Sequence, residues 1–308
     1  MNAGPRKATA RDLLAGHPNA VYGVDWSKDG KLIASASLDN TVKLWDSVSG
    51  KQLIRLPGHG DGVSSVAFSP NGKTLISGSL DRSIKIWDIG TRSLVKTIDA
   101  HAGFVWSLAW SPDGKTFVSG GYDNTAKTWT PAGSMVTRFS PGKQPILAVA
   151  ASPDGRWYVA GSKDSNAYVL VPGQAQPRLT LSGHNAAVEG VVVSHDGKTI
   201  ITASQDKTLR TWEAKTGRPL STIEGHTRYI QCLAISPNGR MIASGSNSGS
   251  IRLWDAATGV LQSTLEGHAN TVYALAFAPD NRRLVSASFD RTVKVWNVGS
   301  GRRITAGS

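Results

Sequence analysis

A histidine preceded by glycine or alanine recurs six times along this chain of 308 residues, always in the same register. Neighbouring members of the series are 42 residues apart, except for one interval of 83 residues in which Gly142-Lys143 stands at the missing position. The series is His17, His59, His101, His184, His226 and His268. A period kept this strictly is typical of stacked supersecondary units, so we predict a single domain over residues 1–308. Its seven units begin near residues 17, 59, 101, 143, 184, 226 and 268.

The unit that starts at His59 shows what each repeat is expected to form. Short alternating runs rich in β-forming residues are separated by turns such as Ser69-Pro70-Asn71-Gly72, where glycine permits a positive φ. The pattern predicts four strands, at residues 63–68, 73–79, 83–88 and 93–98. Helix-period patterns are absent throughout the sequence. The expected fold is therefore all-β: a seven-bladed β-propeller with four antiparallel strands in each blade.

The two ends of such a ring must be joined, because an open sheet edge invites pairing with other chains. Residues 9–15 align with the fourth strand of the other repeats. We expect the N-terminal segment, residues 1–16, to supply a closing strand that pairs with the last blade. The C-terminal residues 302–305 are a rival for the same position.

Three motifs recur in order within the units: Gly-His, then Ser-Gly-Ser-x-Asp, then Trp-Asp. Together they resemble the WD-repeat β-propeller family, and the resemblance covers essentially the whole chain. It implies a buried hydrogen-bond network in each blade that links the histidine, a serine or threonine, the turn aspartate and the tryptophan. The complete sets are His17, Ser35, Asp39, Trp45; His59, Ser77, Asp81, Trp87; His101, Ser119, Asp123, Trp129; His184, Thr202, Asp206, Trp212; and His268, Ser286, Asp290, Trp296.

The sixth repeat departs from this pattern at one position. It keeps His226, Ser244 and Trp254 but has Ser248 where the turn aspartate belongs. Because the histidine then lacks its acidic partner, we expect a weaker network in this blade.

The fourth repeat departs further. It keeps only Asp164, whereas Lys143, Ala160 and Leu170 stand at the histidine, serine and tryptophan positions. Its strand pattern and its Asp-Gly turn remain, so we count it as a blade. We expect it to be the least stable one, or the place where a partner or a neighbouring chain inserts.

No catalytic or metal-binding constellation remains once the repeat positions are set aside. His195 is the one histidine outside the series, and adjacent residues in its Ser194-His195-Asp196 turn cannot form the hydrogen-bonded relay of a triad. The six repeated histidines belong to different blades, so they do not converge on one metal. Cys232 lies within a strand and is expected to be a buried small residue. We predict a protein that is not an enzyme and that takes neither a metal nor a cofactor.

Composition bears on where such a protein works. Cys232 is the only cysteine, so no internal disulfide is possible and a reducing compartment is compatible. The sequence contains no apolar run long enough for a membrane-spanning helix. We expect a soluble cytoplasmic protein, a monomeric propeller that acts alone or as a subunit of a larger complex.

The formal net charge of +12 raises the alternative of an anionic partner. Much of that charge is periodic, because a basic residue follows the first turn in all seven repeats, with Asp or Asn two residues earlier. These basic residues are Lys31, Lys73, Lys115, Arg156, Lys198, Arg240 and Arg282. Evenly spread charges interleaved with aspartate do not form a continuous basic groove. Binding of nucleic acid or of an anionic membrane is therefore the second, less favoured hypothesis.

The favoured partner surface follows from the resemblance, which implies that binding occurs on the rim carrying the loop before the first strand and the turn before the aspartate. At these positions, apolar and aromatic residues concentrate in blades seven, one, two and three. Clustered aromatic side chains with nearby arginines are typical of binding hot spots, and arginine would steer an acidic or phosphorylated segment. The predicted partner-binding residues are Tyr22, Leu38, Leu80, Arg82, Phe104, Trp106, Tyr122, Leu147, Arg228, Tyr229, Tyr273, Phe289 and Arg291. We expect a protein or peptide partner; the alternative is that the rings only fill the mouth of the channel.

Overall fold

The protein forms seven antiparallel sheets of four strands each, in a computed structural model that describes residues 10–174 and 176–298. Each set of four strands is one blade, and the expected all-β, seven-bladed propeller is confirmed. Within the described ranges, no helix has the length and apolar character needed to cross a membrane.

The strand boundaries repeat closely from blade to blade. The first three blades comprise β2 (Val21–Trp26), β3 (Leu32–Ser37), β4 (Val42–Asp46), β5 (Gln52–Leu56); β6 (Val63–Phe68), β7 (Thr74–Ser79), β8 (Ser83–Asp88), β9 (Ser93–Asp99); and β10 (Val105–Trp110), β11 (Phe117–Gly121), β12 (Ala126–Trp129), β13 (Met135–Phe139). The fourth and fifth comprise β14 (Ile146–Ala151), β15 (Tyr158–Ser162), β16 (Asn166–Leu170), β17 (Leu179–Ser182); and β18 (Val188–Val193), β19 (Thr199–Ser204), β20 (Leu209–Glu213), β21 (Pro219–Ile223). The sixth and seventh comprise β22 (Ile230–Ile235), β23 (Met241–Ser246), β24 (Ile251–Asp255), β25 (Leu261–Leu265); and β26 (Val272–Phe277), β27 (Arg283–Ser288), β28 (Thr292–Asn297), with β1 (Ala10–Ala15).

Six blades are built from consecutive strands, and the seventh is completed from the other end of the chain. Its strand order is β1-β28-β27-β26, in which β1 pairs antiparallel with β28 and Ala15 faces Thr292. The N-terminal strand therefore takes the outermost place in the last sheet. Residues 1–9 of the expected closing segment, and the rival residues 302–305, lie outside the described ranges.

Two kinds of tight turn set the strand lengths. In the turn after β6, Ser69 Oγ donates to Asn71 Oδ1 at 2.7 Å and Gly72 lies at φ +70°, a conformation that glycine adopts without strain. In the turn after β7, the left-handed position is held by Arg82 at φ +73°. An arginine here costs some backbone strain, and it places the charged side chain on the rim.

The hydrophobic core lies between neighbouring blades rather than within any one of them. Between the second and third blades, for example, Ile76 and Ile86 form one buried cluster with Phe117 and Trp129. The blades approach so closely that a Cβ atom added at Gly78 would lie 2.6 Å from Val105 Cγ1. Each blade therefore buries apolar surface only by packing against its neighbours, which is why the repeat must be stacked to fold.

The first strand of every blade is the innermost one, and together these strands line a central channel. The channel encloses about 580 Å³. Its rim at the start of the strands carries the positions that the sequence assigned to binding.

Candidate binding face

A backbone irregularity at the second residue of every first strand directs one side chain per blade toward the channel entrance. In the first blade, Val21 pairs with Ser37 and Gly23 pairs with Ala36, so Tyr22 is an extra residue without a partner in β3. Such a β-bulge re-aims the side chain of the extra residue. The seven bulged residues line the channel and form what we call the entrance ring: Tyr22, Ser64, Trp106, Leu147, Glu189, Gln231 and Tyr273.

Aromatic side chains of the entrance ring contact one another and continue outward. Tyr22 stacks on Tyr273 with ring centroids 4.2 Å apart, and its other neighbour is Trp106, at 5.8 Å in an edge-on geometry. On one side Trp106 packs against Tyr122 at 5.3 Å, which in turn packs against Phe104 at 5.6 Å. On the other side Tyr273 lies 6.3 Å from Phe289. We call this continuous series of six rings the aromatic face.

The aromatic face has an inner and an outer part. Tyr22, Trp106 and Tyr273 are half-buried at the channel entrance. Phe104, Tyr122 and Phe289 are 42%, 36% and 44% exposed. The inner rings thus fill the channel mouth, as the alternative interpretation expected, whereas the outer rings present apolar surface to solvent.

Backbone hydrogen bonds hold the outer rings in place. The N–H of Tyr122 donates to the carbonyl of Phe104 at 2.9 Å, and the N–H of Phe289 donates to that of Thr271 at 2.9 Å. Each bond ties the turn before the aspartate to the loop before the first strand, so the two segments of the rim support each other. A surface preorganised in this way loses little conformational entropy when it binds.

The remaining predicted contact residues are distributed unevenly over the rim. Leu38 and Leu80 are half-buried and pack over Gly62. A Cβ atom added at Gly62 would lie 2.4 Å from the side chain of Leu38 and 3.3 Å from that of Leu80. Tyr229 is 48% exposed but belongs to none of the ring pairs that form the aromatic face. The exposed arginines of the set are Arg82, Arg228 and Arg291.

Leu147 differs from the expectation. Only 5% of its surface is exposed, because it lies in the wall of the channel and not on the rim. Its bulged position is the same as that of Trp106, but the shorter side chain stays below the surface. A direct role in contacting a partner protein does not fit this burial.

The channel wall carries two carboxyl groups. Glu189, the acidic member of the entrance ring, accepts a 2.7 Å hydrogen bond from Gln205 Nε2, and burial raises the pKa of Glu189 to about 7. Asp25 accepts hydrogen bonds from the backbone N–H groups of Trp26 and Phe68, at 2.8 and 2.7 Å, and burial raises its pKa to about 7 as well. Asp25 thereby links the first blade to the second. Sequence reasoning did not single out either residue, although Glu189 is the acidic exception among the seven equivalent positions.

The repeated histidines are held in the networks of their blades. In the five complete sets, histidine Nδ1 lies 2.6–2.9 Å from the turn aspartate, and Nε2 lies 2.7–2.8 Å from the serine or threonine hydroxyl. The tryptophan Nε1–H donates to the same hydroxyl at 2.7–2.9 Å. The ionised carboxylate can only accept, so Nδ1 carries the proton of this contact, and in the neutral imidazole Nε2 then accepts from the hydroxyl. With both ring nitrogens engaged, these histidines serve the scaffold.

The fourth blade replaces the missing network with a tyrosine. Tyr168 Oη donates to Asp164 Oδ2 at 2.6 Å, and both groups lie against Gly142. Leu170 is fully buried at the tryptophan position. Tyr168 was not predicted, but a sequence signal exists: it stands two residues before the tryptophan position, where the other six repeats have Lys or Arg.

The Ser194-His195-Asp196 turn has the geometry of a hairpin turn and not of a relay. Ser194 Oγ donates to Asp196 Oδ1 at 2.6 Å, which closes the turn. Cys232 is buried, its Sγ lies 3.4 Å from the carbonyl of Val272, and burial raises the pKa of the thiol. In residues 10–174 and 176–298, no group of three or more His, Cys, Asp or Glu side chains is arranged to hold a metal ion.

Known sequences contain repeats similar to those of this chain. The family profile described as "WD domain, G-beta repeat" matches seven successive segments: residues 9–46, 50–88, 92–130, 133–169, 175–213, 217–255 and 259–297. One subunit of chromatin assembly factor 1, from Gallus gallus, is 44% identical over 45 residues, as is its counterpart from Mus musculus; the match spans 15% of this chain and 8% of either relative. Protein Mut11 from Chlamydomonas reinhardtii is 50% identical over 40 residues, which is 13% of this chain and 11% of that protein. The similarity to each of these proteins thus extends over about one repeat.

Proposed function

This chain belongs to the WD40-repeat family, and from that premise we propose that it is a non-catalytic interaction scaffold that binds a peptide or protein segment on its aromatic face. Propellers of this family typically act as platforms for protein interactions, which agrees with a rigid ring whose repeated histidines are engaged in structural hydrogen bonds. The observation that carries the proposal is the continuous contact of six rings on one rim, three of which are exposed.

The energetic argument rests on the outer rings. Aromatic side chains bury a large area on binding, and contiguous exposed apolar surface is typical of interaction sites. Because Phe104 and Phe289 are already supported by neighbouring rings, a partner would desolvate them without reordering the rim. Affinity would come from this desolvation.

The rim arginines support a particular kind of segment. Arg82 and Arg291 occupy left-handed turn positions in blades two and seven, and both are exposed. Guanidinium groups form bidentate hydrogen bonds with carboxylate and phosphate. We propose that they steer an acidic or phosphorylated segment toward the aromatic face. Membership in a larger complex would agree with the names of the chromatin assembly factor relatives, although the likeness to them is limited to a single repeat.

The test compares two double variants in a capture experiment from cells that express the protein. Phe104→Ala with Phe289→Ala removes outer rings, whereas Val48→Ala with Val95→Ala removes apolar side chains that are 72% and 64% exposed elsewhere. We expect at least a tenfold loss of captured partner for the first variant and none for the second, with unfolding midpoints unchanged in both. Equal recovery with the two variants would contradict the proposal.

The second candidate function, binding of nucleic acid or an anionic membrane, has its own supporting observation. The seven basic residues after the first turns are all exposed, at the ends of the first strands opposite the entrance ring. Two of them have acidic neighbours, Asp29 at 3.9 Å from Lys31 and Asp113 at 3.6 Å from Lys115, which reduces the local charge. A salt titration separates the two functions, since binding to nucleic acid weakens steeply with salt and apolar contacts do not.

A further inference from the structure

In the complete blades, the turn aspartate is the acceptor of a convergent set of donors. Asp206 accepts from His184 Nδ1 at 2.7 Å, from the N–H of Asn185 at 3.1 Å, and from the hydroxyl and N–H of Thr208 at 2.7 and 2.9 Å. The five aspartate side chains keep 8–17% of their surface exposed. Each carboxylate is thus held by fixed donors at a place that opens to solvent.

The sixth blade has the same donors without the carboxylate. His226 is 7% exposed, and its Nε2 lies 2.7 Å from Ser244 Oγ, which accepts from Trp254 Nε1 at 2.8 Å. In the complete blades it is the carboxylate that holds the proton on Nδ1, so an acceptor at this position would be bound by the same tautomer of His226. In the part of the chain that the structure describes, Nδ1 of His226 has no hydrogen-bond partner.

The serine at the aspartate position does not substitute for the carboxylate. Ser248 Oγ lies 2.7 Å from Ser246 Oγ and 2.9 Å from Ser250 Oγ, so the three hydroxyls satisfy one another. None of them reaches His226. The backbone N–H of Thr227 corresponds to that of Asn185, which donates to the aspartate in the fifth blade.

A positive charge accompanies this position. Arg252 occupies the place of Lys127, whose Nζ lies 3.6 Å from Asp123 in the third blade. Burial, followed by the charge of Arg252, lowers the pKa of His226 to about 3, so the imidazole is neutral at pH 7. The position thus combines an imidazole nitrogen without a protein partner and a backbone donor, and the charge of Arg252 lies close enough to act on the imidazole, with no carboxylate at the turn to balance it.

From these contacts we infer that the sixth blade contains an anion site at the place of the missing turn aspartate, and that its ligand is a carboxylate. The backbone donor and the nearby positive charge favour an acceptor over a cation, and the five complete blades show where a carboxylate sits among the same groups. The carboxylate is either a small free anion or an acidic side chain of another chain. This inference stands independently of the proposed function of the aromatic face.

The test uses thermal unfolding of the whole protein with formate as the probe and chloride at equal ionic strength as the reference. We expect formate to raise the unfolding midpoint by about 2 °C, with saturation, because a ligand stabilises the state that binds it. Ser248→Asp fills the site with its own carboxylate and should abolish the response. Asp206→Ser opens the same site in the fifth blade and should increase the response.

A second readout and a second pair of ligands complete the design. The Nδ1 resonance of His226 should shift when formate is added to the wild-type protein. In Arg252→Gln, the formate concentration that gives half of the response should rise at least threefold. The unfolding midpoint is also measured with N-acetyl-aspartate amide and, as its uncharged control, N-acetyl-asparagine amide. Stabilisation by the aspartate compound shows that a carboxylate carried by a peptide fits the site, whereas stabilisation by formate alone identifies a site for small free anions. Equal midpoint shifts in the wild type and Ser248→Asp, or an unmoved His226 resonance, would overturn the inference.

Discussion

The rings of Tyr22 and Tyr273 stack with their centroids 4.2 Å apart and their planes inclined by 16°. Tyr22 belongs to β2 and Tyr273 to β26, so the stack joins the first blade to the seventh. Further along the same strands, Trp26 Nε1 donates to the carbonyl of Ala276 at 3.1 Å. Side-chain contacts at the channel thus add to the pairing of β1 with β28 where the two ends of the chain meet.

The tyrosine stack should be measurable as a coupling energy. We expect the destabilisation of Tyr22→Ala and that of Tyr273→Ala to be non-additive by about 1 kcal/mol, the usual strength of a stacked aromatic pair. Urea unfolding of the four proteins in the double-mutant cycle measures this value. Tyr229→Ala paired with Tyr22→Ala is the control, and full additivity of the two stacked positions would contradict the prediction.

The histidine network of a complete blade should depend on its aspartate. Asp206→Ser removes the carboxylate to which the buried His184 Nδ1–H donates, and we expect it to lower the free energy of unfolding by about 2 kcal/mol. Ser248→Ala, at the equivalent exposed position of the sixth blade, should cost less than about 0.5 kcal/mol. Guanidinium chloride unfolding compares the two variants, and similar losses would show that the sixth blade relies on its turn residue as much as the fifth.

The fourth blade should depend on a hydroxyl that the other blades lack. Tyr168→Phe removes the 2.6 Å hydrogen bond to Asp164 and leaves that carboxylate without its tyrosine partner. We expect a loss of about 1–3 kcal/mol in the free energy of unfolding. Tyr229→Phe, which alters an exposed tyrosine of the rim, is the matched control and should be neutral. A neutral Tyr168→Phe would mean that the hydroxyl does not stabilise the blade.

Glu189 should make stability depend on pH in the direction opposite to a glutamate whose pKa is lowered by an ion pair. Burial raises its pKa to about 7, above the value of about 4.3 in an unfolded chain. The folded state therefore binds the proton more tightly, and this contribution to stability is complete below about pH 4 and is lost as the pH rises through 7.

Replacement by glutamine removes that dependence. Between pH 5 and pH 8, the free energy of unfolding of Glu189→Gln relative to wild type should rise by about 2 kcal/mol. The hydrogen bond with Gln205 can be kept by the amide oxygen, and Glu224→Gln on the surface is the control. Parallel pH profiles for Glu189→Gln and wild type would show that the carboxyl is solvated in the folded protein.

The sequence was sufficient for most of the fold and for part of the candidate site. The strand predicted at residues 63–68 is β6 without change, and the one predicted at 93–98 is one residue shorter than β9. The prediction was accurate because seven copies of one unit bury the same strand faces. Each copy therefore repeats the same alternation of apolar and polar residues. The register also located the rim positions, including Phe104 and Phe289, which are exposed as the pattern predicted.

Other features depended on contacts that a repeat pattern does not contain. The β-bulge that turns Tyr22 and Trp106 into the channel entrance is a backbone feature, and the same bulge buries Leu147 because its side chain is shorter. The bond between Tyr168 and Asp164 arises only when the fourth blade has folded.

The amino-acid sequence by itself determined the number of blades, their strands and the residues of the repeated network, since a strict period leaves one way to bury seven equivalent faces. Only the tertiary structure decided which rim side chains contact each other and which lie in the channel. Those outcomes depend on side-chain length and on distances between blades, and such distances exist only once the ring has packed.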